Sequence, residues 1–216
     1  MLTYKPIRTL LTVAVCTLAV TVTVPRAGAA DDTFKRSAEL GKRTAKTSED
    51  VNRYIAQLDK TEHMLSSVSQ ADGKDLKKRY ESFSGDIKTL EDAQKHATSD
   101  INEMKTTGAE YFSAWETSIT QISDPQLRQA STERRTKVMK DHDDLAVSLS
   151  DVGSQLEPFM TNLRDIKAFL GTDLSPTNVA KATDMIQKSQ ADVQALKVKL
   201  AAVETTLQQF VAEAPR

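Results

Sequence analysis

The sequence predicts an all-α protein, an elongated antiparallel four-helix bundle with coiled-coil character. Three observations carry this reading. Beyond residue 33 the apolar residues recur at alternating intervals of three and four, with almost no period-two alternation, which marks helices packed along a narrow seam. Only 7 Gly and 6 Pro occur in 216 residues, and aromatics make up 5%, too few turn-formers for a many-stranded sheet protein. The breaks in the apolar pattern are short, and short connections between long helices place neighbours antiparallel.

Residues 1–29 stand apart from this pattern. Lys5 and Arg8 precede an apolar run from Leu10 to Val24, and after Pro25 the small residues Ala27-Gly28-Ala29 follow. This is the order of a secretory signal peptide, cleaved after Ala29 or Ala30, and the run is short of the ~20 residues that cross a bilayer as a helix. Cys16 follows Val15 and is itself followed by apolar sequence, so it reads as part of the signal's apolar core and not as a lipidation site. The expected location is the periplasm or the exterior. Removing the signal takes away Lys5, Arg8 and Arg26 and no acid, so the formal net charge moves from −1 to −4. A mildly acidic mature chain does not suit general attraction to nucleic acid or anionic lipid.

The remaining chain, 30–216, reads as one helical domain with segments at about 33–70, 74–122, 125–170 and 176–211. The first seam is the weakest: Val51, Ile55, Leu58, Glu62 and Leu65, with Gly41, Thr44 and Ser48 upstream, so its N-terminal half is expected to fray. The second runs Leu76, Tyr80, Phe83, Ile87, Leu90, Gln94, Ala97, Ile101, Met104, Gly108, Tyr111, Trp115, Ser118, Ile122. The third runs Val138, His142, Leu145, Leu149, Val152, Leu156, Phe159, Leu163, Ile166, Leu170. The fourth runs Val179, Ala182, Ile186, Ser189, Val193, Leu196, Leu200, Val203, Leu207, Phe210. Asp72-Gly73 supplies a turn that permits positive φ, Asp124-Pro125 and Ser175-Pro176 pair a cap with a first-turn proline, and Gly171 fits a helix C-terminus. Pro158 inside the third segment predicts a kink at the carbonyl of Ser154.

Segments two and three are the longest, about 70 Å each at ~1.5 Å per residue. Counted back from their shared turn, Phe34 falls level with about residue 110 and Phe210 with about residue 134. The end of this hairpin is therefore expected to project past both other helices by roughly 18 Å. It holds Tyr111, Phe112, the sole Trp115, Ile119, Ile122 and Leu127. Such residues either zip the hairpin or anchor a partner. Tyr111, Trp115 and Ile122 follow the seam, whereas Phe112 and Ile119 do not and are expected to face outward. These six form the candidate partner-binding set.

No catalytic or cofactor-binding set emerges. The chain lacks a Gly-rich phosphate loop and a G-x-S-x-G elbow, and after signal removal it has no cysteine nucleophile. Di-iron bundles place Glu three residues before a ligating His, but here Lys60, Ala93 and Met139 stand before His63, His96 and His142. No metal or other cofactor is expected, and His142 reads as a core residue.

Three stretches resemble a known family. They are Asp72-Gly73-Lys74-Asp75-Leu76 leading to Tyr80, Trp115-Glu116 with the turn Ser123-Asp124-Pro125-Gln126-Leu127-Arg128 and Ser131, and Glu157-Pro158-Phe159 through Leu163-Arg164-Asp165 to Phe169-Leu170. Their order and spacing resemble the exported bacterial family called domain of unknown function 2959. Many of its members look like lipoproteins, from which this sequence departs at Cys16. The resemblance implies a helical, envelope-located protein and carries no catalytic residues across. The expected function is non-enzymatic: a structural or adaptor protein of the cell envelope that binds an envelope protein, or itself, through helical surfaces. The alternative is a peripheral membrane or lipid-binding module that inserts the aromatic tip.

Overall fold

The computed structural model describes residues 27–71 and 73–213. Most of the signal-peptide reading, residues 1–26, lies outside the described residues, as does Asp72 of the first turn. Four helices follow one another: α1 (Ala27–Ser69), α2 (Leu76–Ile119), α3 (Pro125–Thr172) and α4 (Pro176–Glu213). No strand occurs among the described residues.

The helix ends follow from local chemistry. Asp124 caps α3, its Oδ1 accepting from the backbone N–H groups of Gln126 and Leu127 at 2.9 Å each, with Pro125 at the first helical position. At α4 the Ser175 hydroxyl accepts from Asn178 N at 3.3 Å, and Asn178 Nδ2 donates to Asp173 O at 3.0 Å. α2 ends at Ile119, not 122, because Gln121 and Ile122 bond back three residues to Ser118 and Ile119. The guanidinium of Arg128 then donates to Ile122 O at 2.9 and 2.7 Å. Gly171 lies inside α3 and does not close it. The Tyr80 hydroxyl occupies the space its side chain would need, 2.8 Å from the position of a Cβ, and donates to Lys167 O at 3.1 Å. No described residue, Gly73 included, has positive φ. α3 runs through Pro158 as one helix.

The helices pack in chain order around the bundle axis: α1 on α2, α2 on α3, α3 on α4 and α4 on α1. The seams of α3 and α4 are the ones read from the sequence, with every named residue buried. α2 keeps Leu76, Phe83, Ile87, Leu90, Met104, Gly108 and Tyr111 of its seam buried, but Tyr80, Gln94, Ala97, Ile101, Trp115 and Ser118 are half-buried, and Asp100, Phe112 and Ile119 turn inward instead.

α1 departs from expectation. Its core side is Leu40, Thr44, Thr47, Val51, Tyr54, Leu58, Thr61, Leu65 and Val68, a strict heptad in which Tyr54 and Thr61 replace the expected Ile55 and Glu62. The threonines can be buried because each hydroxyl bonds within its own helix. Thr44 donates to Leu40 O at 2.9 Å, Thr47 to Arg43 O at 3.0 Å and Thr61 to Gln57 O at 3.0 Å. Small side chains at this seam let α1 approach α2 more intimately than any other pair of helices approaches. The N-terminal half expected to fray is helical from Ala27 and contributes Leu40, Thr44 and Thr47 to the core.

The same register overturns the expected projecting hairpin. The Thr33 hydroxyl bonds Ala114 O at 3.2 Å and Ser118 Oγ at 2.7 Å, so α1 reaches well past residue 110 of α2. α4 does stop short, with Arg134 Nη2 donating to Glu213 O at 2.9 Å. Among the described residues, the end of the bundle beyond Glu213 is thus built of α1, α2 and α3.

Candidate interaction surface at the three-helix end

The six residues singled out in the sequence sit at this end, but the structure divides them. Tyr111, Phe112 and Ile119 are buried. Trp115 and Ile122 are half-buried, and Leu127 is 65% exposed. Phe112 and Ile119 therefore do not face outward. Phe112, off the expected seam, packs against α3, where its ring meets His142 at 5.4 Å between centroids.

The aromatic residues form one cluster. Tyr111 lies 5.1 Å from Phe112 and 5.4 Å from Trp115, centroid to centroid, in tilted arrangements. Trp115 Nε1 donates to Ser131 Oγ at 3.2 Å, tying α2 to α3. Arg135 of α3 donates through Nε to Phe112 O at 2.9 Å and pairs through Nη1 with Glu116 at 2.8 Å. Burial pushes the Tyr111 phenol up to about 12, against the opposing influence of its hydrogen bond with Ser37 and of Arg134.

Phe34, which the sequence reading used only to judge where α1 ends, is 65% exposed. Its position explains the exposure. On α1, Ser48 bonds Glu204 of α4 at 2.6 Å, and Glu62 accepts from Gln194 of α4 at 2.7 Å. Phe34 lies two heptads before Ser48 and four before Glu62, on the stripe that meets α4. On α3, Leu127 lies one heptad before Arg134, which bonds the end of α4. Both apolar side chains thus flank the lane that α4 would fill if it were longer. The signal for Phe34 was its heptad phase, which the weak apolar pattern of α1 concealed.

Polar groups elsewhere are placed structurally. His142 is 3% exposed, as expected of a core residue. Its Nδ1 lies 3.3 Å from Asp143 Oδ1, and its ring stands edge-on to Phe112. On the other side of the bundle, Asp50 of α1 and Asp100 of α2 are both buried and share a hydrogen bond. Lys46 Nζ donates to Asp100 at 2.7 Å, and Arg53 pairs with Asp50. Burial and the bond to Asp100 push the Asp50 carboxyl up. Burial acts the same way on Asp100, but the bonds from Asp50 and Lys46 outweigh it and hold that carboxyl down. This acid pair had no sequence signal, since each member falls among ordinary surface-like charges. Among the described residues, no three His, Cys, Asp or Glu side chains converge as a metal site, and no helix is long and apolar enough to cross a membrane.

Comparison with curated proteins and with solved structures gives no match. A family model described as "Protein of unknown function (DUF2959)" matches residues 33–214, nearly the whole bundle, and this chain therefore belongs to that family.

Proposed function

We propose that this is an exported, non-enzymatic structural or adaptor protein of the cell envelope, and that it binds a protein partner or a second copy of itself at the three-helix end. The observation that carries this reading is the lane beyond α4. It is one helix wide and is flanked by Phe34 and Leu127, two of the few large apolar side chains left exposed. A helix supplied by a partner would complete the four-helix cross-section there, in the manner of an amphipathic helix laid in an apolar groove. The export part of the proposal rests on the composition of residues 1–29.

Insertion of the tip into a membrane has less support, because Tyr111 and Phe112 face inward and Trp115 is tied to Ser131. The test is photo-crosslinking in cells from positions 34 and 127, with position 89 on the exposed face of α2 as the control. The reading requires one discrete crosslinked protein species that depends on positions 34 and 127. Crosslinks to lipid alone, or none beyond the control, would end it.

A further inference from the structure

Midway along the bundle the α2–α3 seam opens into a cavity of about 270 Å³. Its interior is apolar and draws on the other helices too, with Val51 of α1, Leu149 and Leu156 of α3, and Leu200 of α4. Its mouth is polar but almost uncharged, with Gln94 and Asn102 on α2 and Ser150 on α3. The one charged group, Lys105, is engaged there, its Nζ donating to Ser150 Oγ at 3.0 Å. This opening is why Gln94, Ala97 and Ile101 are only half-buried although they keep the seam register.

One feature distinguishes the cavity from a packing defect. Tyr54 of α1 lines it. It is 2% exposed, and its hydroxyl has no hydrogen-bond partner among the described residues. Burial, and secondarily the Glu157 carboxylate of α3, push this phenol up from its ordinary value. Buried tyrosine hydroxyls are almost always partnered, so a protonated donor without an acceptor here points to a missing one.

We propose that the cavity binds a small, uncharged, largely apolar molecule of the ketone class, its oxygen accepting the Tyr54 hydroxyl proton and its hydrocarbon filling the space between α2 and α3. The size is sufficient, since an apolar cavity of ~150 Å³ already accommodates benzene. No described Asp, Glu, His or Arg lines the cavity, and its one charged group, Lys105, is bonded to Ser150 at the mouth, which favours a neutral ligand over a carboxylate or an amine. This site is independent of the partner surface at the three-helix end.

The probes are acetophenone and ethylbenzene, which share a shape but differ in the acceptor. Binding to the purified protein is measured by calorimetry, and the carbonyl carbon of labelled acetophenone is followed by NMR. The wild-type protein should bind acetophenone about three- to tenfold more tightly than ethylbenzene, the factor for one neutral hydrogen bond. It should also shift the carbonyl resonance downfield. Tyr54→Phe should equalise the two affinities and abolish the shift. Failure of both compounds to bind the wild-type protein overturns the site. Equal affinities in the wild-type protein overturn the role of Tyr54 without any reliance on a variant, and so does a preference that persists in a folded Tyr54→Phe protein.

Discussion

His142 of α3 packs its imidazole into the space left by the missing side chain of Gly108 on α2. A Cβ at position 108 would stand 2.3 Å from His142 Nε2 and 2.5 Å from Cε1. The ring has little room to retreat, because its centroid lies 5.4 Å from that of Phe112 and 5.8 Å from that of Phe210. Gly108→Ala should therefore destabilise the protein by about 1–3 kcal/mol, overpacking outweighing the helix-propensity gain. Gly85, in the same helix, is exposed, and a Cβ there meets nothing within 4 Å. Gly85→Ala should stabilise by up to about 1 kcal/mol. Urea unfolding measures both, and a His142→Ala background decides the cause. There Gly108→Ala should change sign. A penalty undiminished in that background would mean the ring is not the obstacle.

The Asp50–Asp100 pair gives stability a pH dependence whose sign follows from the two directions. The Asp50 carboxyl is pushed up, so its contribution is complete below the ordinary aspartate value of 3.8 and is lost as pH rises through its raised value. The Asp100 carboxyl is held down, so its contribution is present above that ordinary value and is lost as pH falls through its lowered value. At neutral pH the burdened member is Asp50, which faces Asp100, Lys46 and Arg53. Asp50→Asn keeps a donor for Asp100 at every pH. Relative to wild type it should gain stability as pH rises from about 4 to about 7, reaching about 1 kcal/mol. The check is a series of urea melts across that range. A gain that shrinks with rising pH contradicts the assignment.

Two double variants separate core from surface at the three-helix end. Phe112→Asp with Ile119→Asp places two carboxylates in the buried cluster and should cost more than about 3 kcal/mol, enough to unfold the end of the bundle. Phe34→Asp with Leu127→Asp alters only exposed side chains and should change stability by no more than about 0.5 kcal/mol. Under the proposed function, the second pair should also abolish association with the partner. Thermal melts by circular dichroism check the stabilities, and sedimentation or pull-down checks the association. Normal association by a folded Phe34→Asp/Leu127→Asp protein contradicts the placement of the surface.

The fold was legible wherever the seam is made of Leu, Ile, Val and Phe. On α3 and α4, burial coincides with those residues, and heptad phase could be read directly. On α1 it was not, because the seam there includes Thr44, Thr47 and Thr61, whose hydroxyls become compatible with a core only through bonds to their own helix. With these scored as polar, Ile55 and Glu62 looked equally good, and the phase slipped between Val51 and Leu58. The error carried into the candidate surface. Phe112 and Ile119 were placed outside because they lie off the α2 seam, and the start assigned to α1 left the end of the hairpin projecting. Tyr54 was hidden because it lies on the seam that was misphased, and its unpartnered hydroxyl is a property of three-dimensional packing that no spacing rule conveys.

The uneven closeness of the seams gives thermal breathing a direction. α1 and α2 lie close along their length, with small threonines on the α1 seam, whereas α2 and α3 meet most sparsely and across a hollow. Amide hydrogens should exchange fastest with deuterium where α2 and α3 flank that hollow, and slowest in the α1 turns around Thr44, Thr47 and Thr61. A small molecule entering the protein would then pass through a gate that opens by parting two rods, while the opposite seam acts as the hinge.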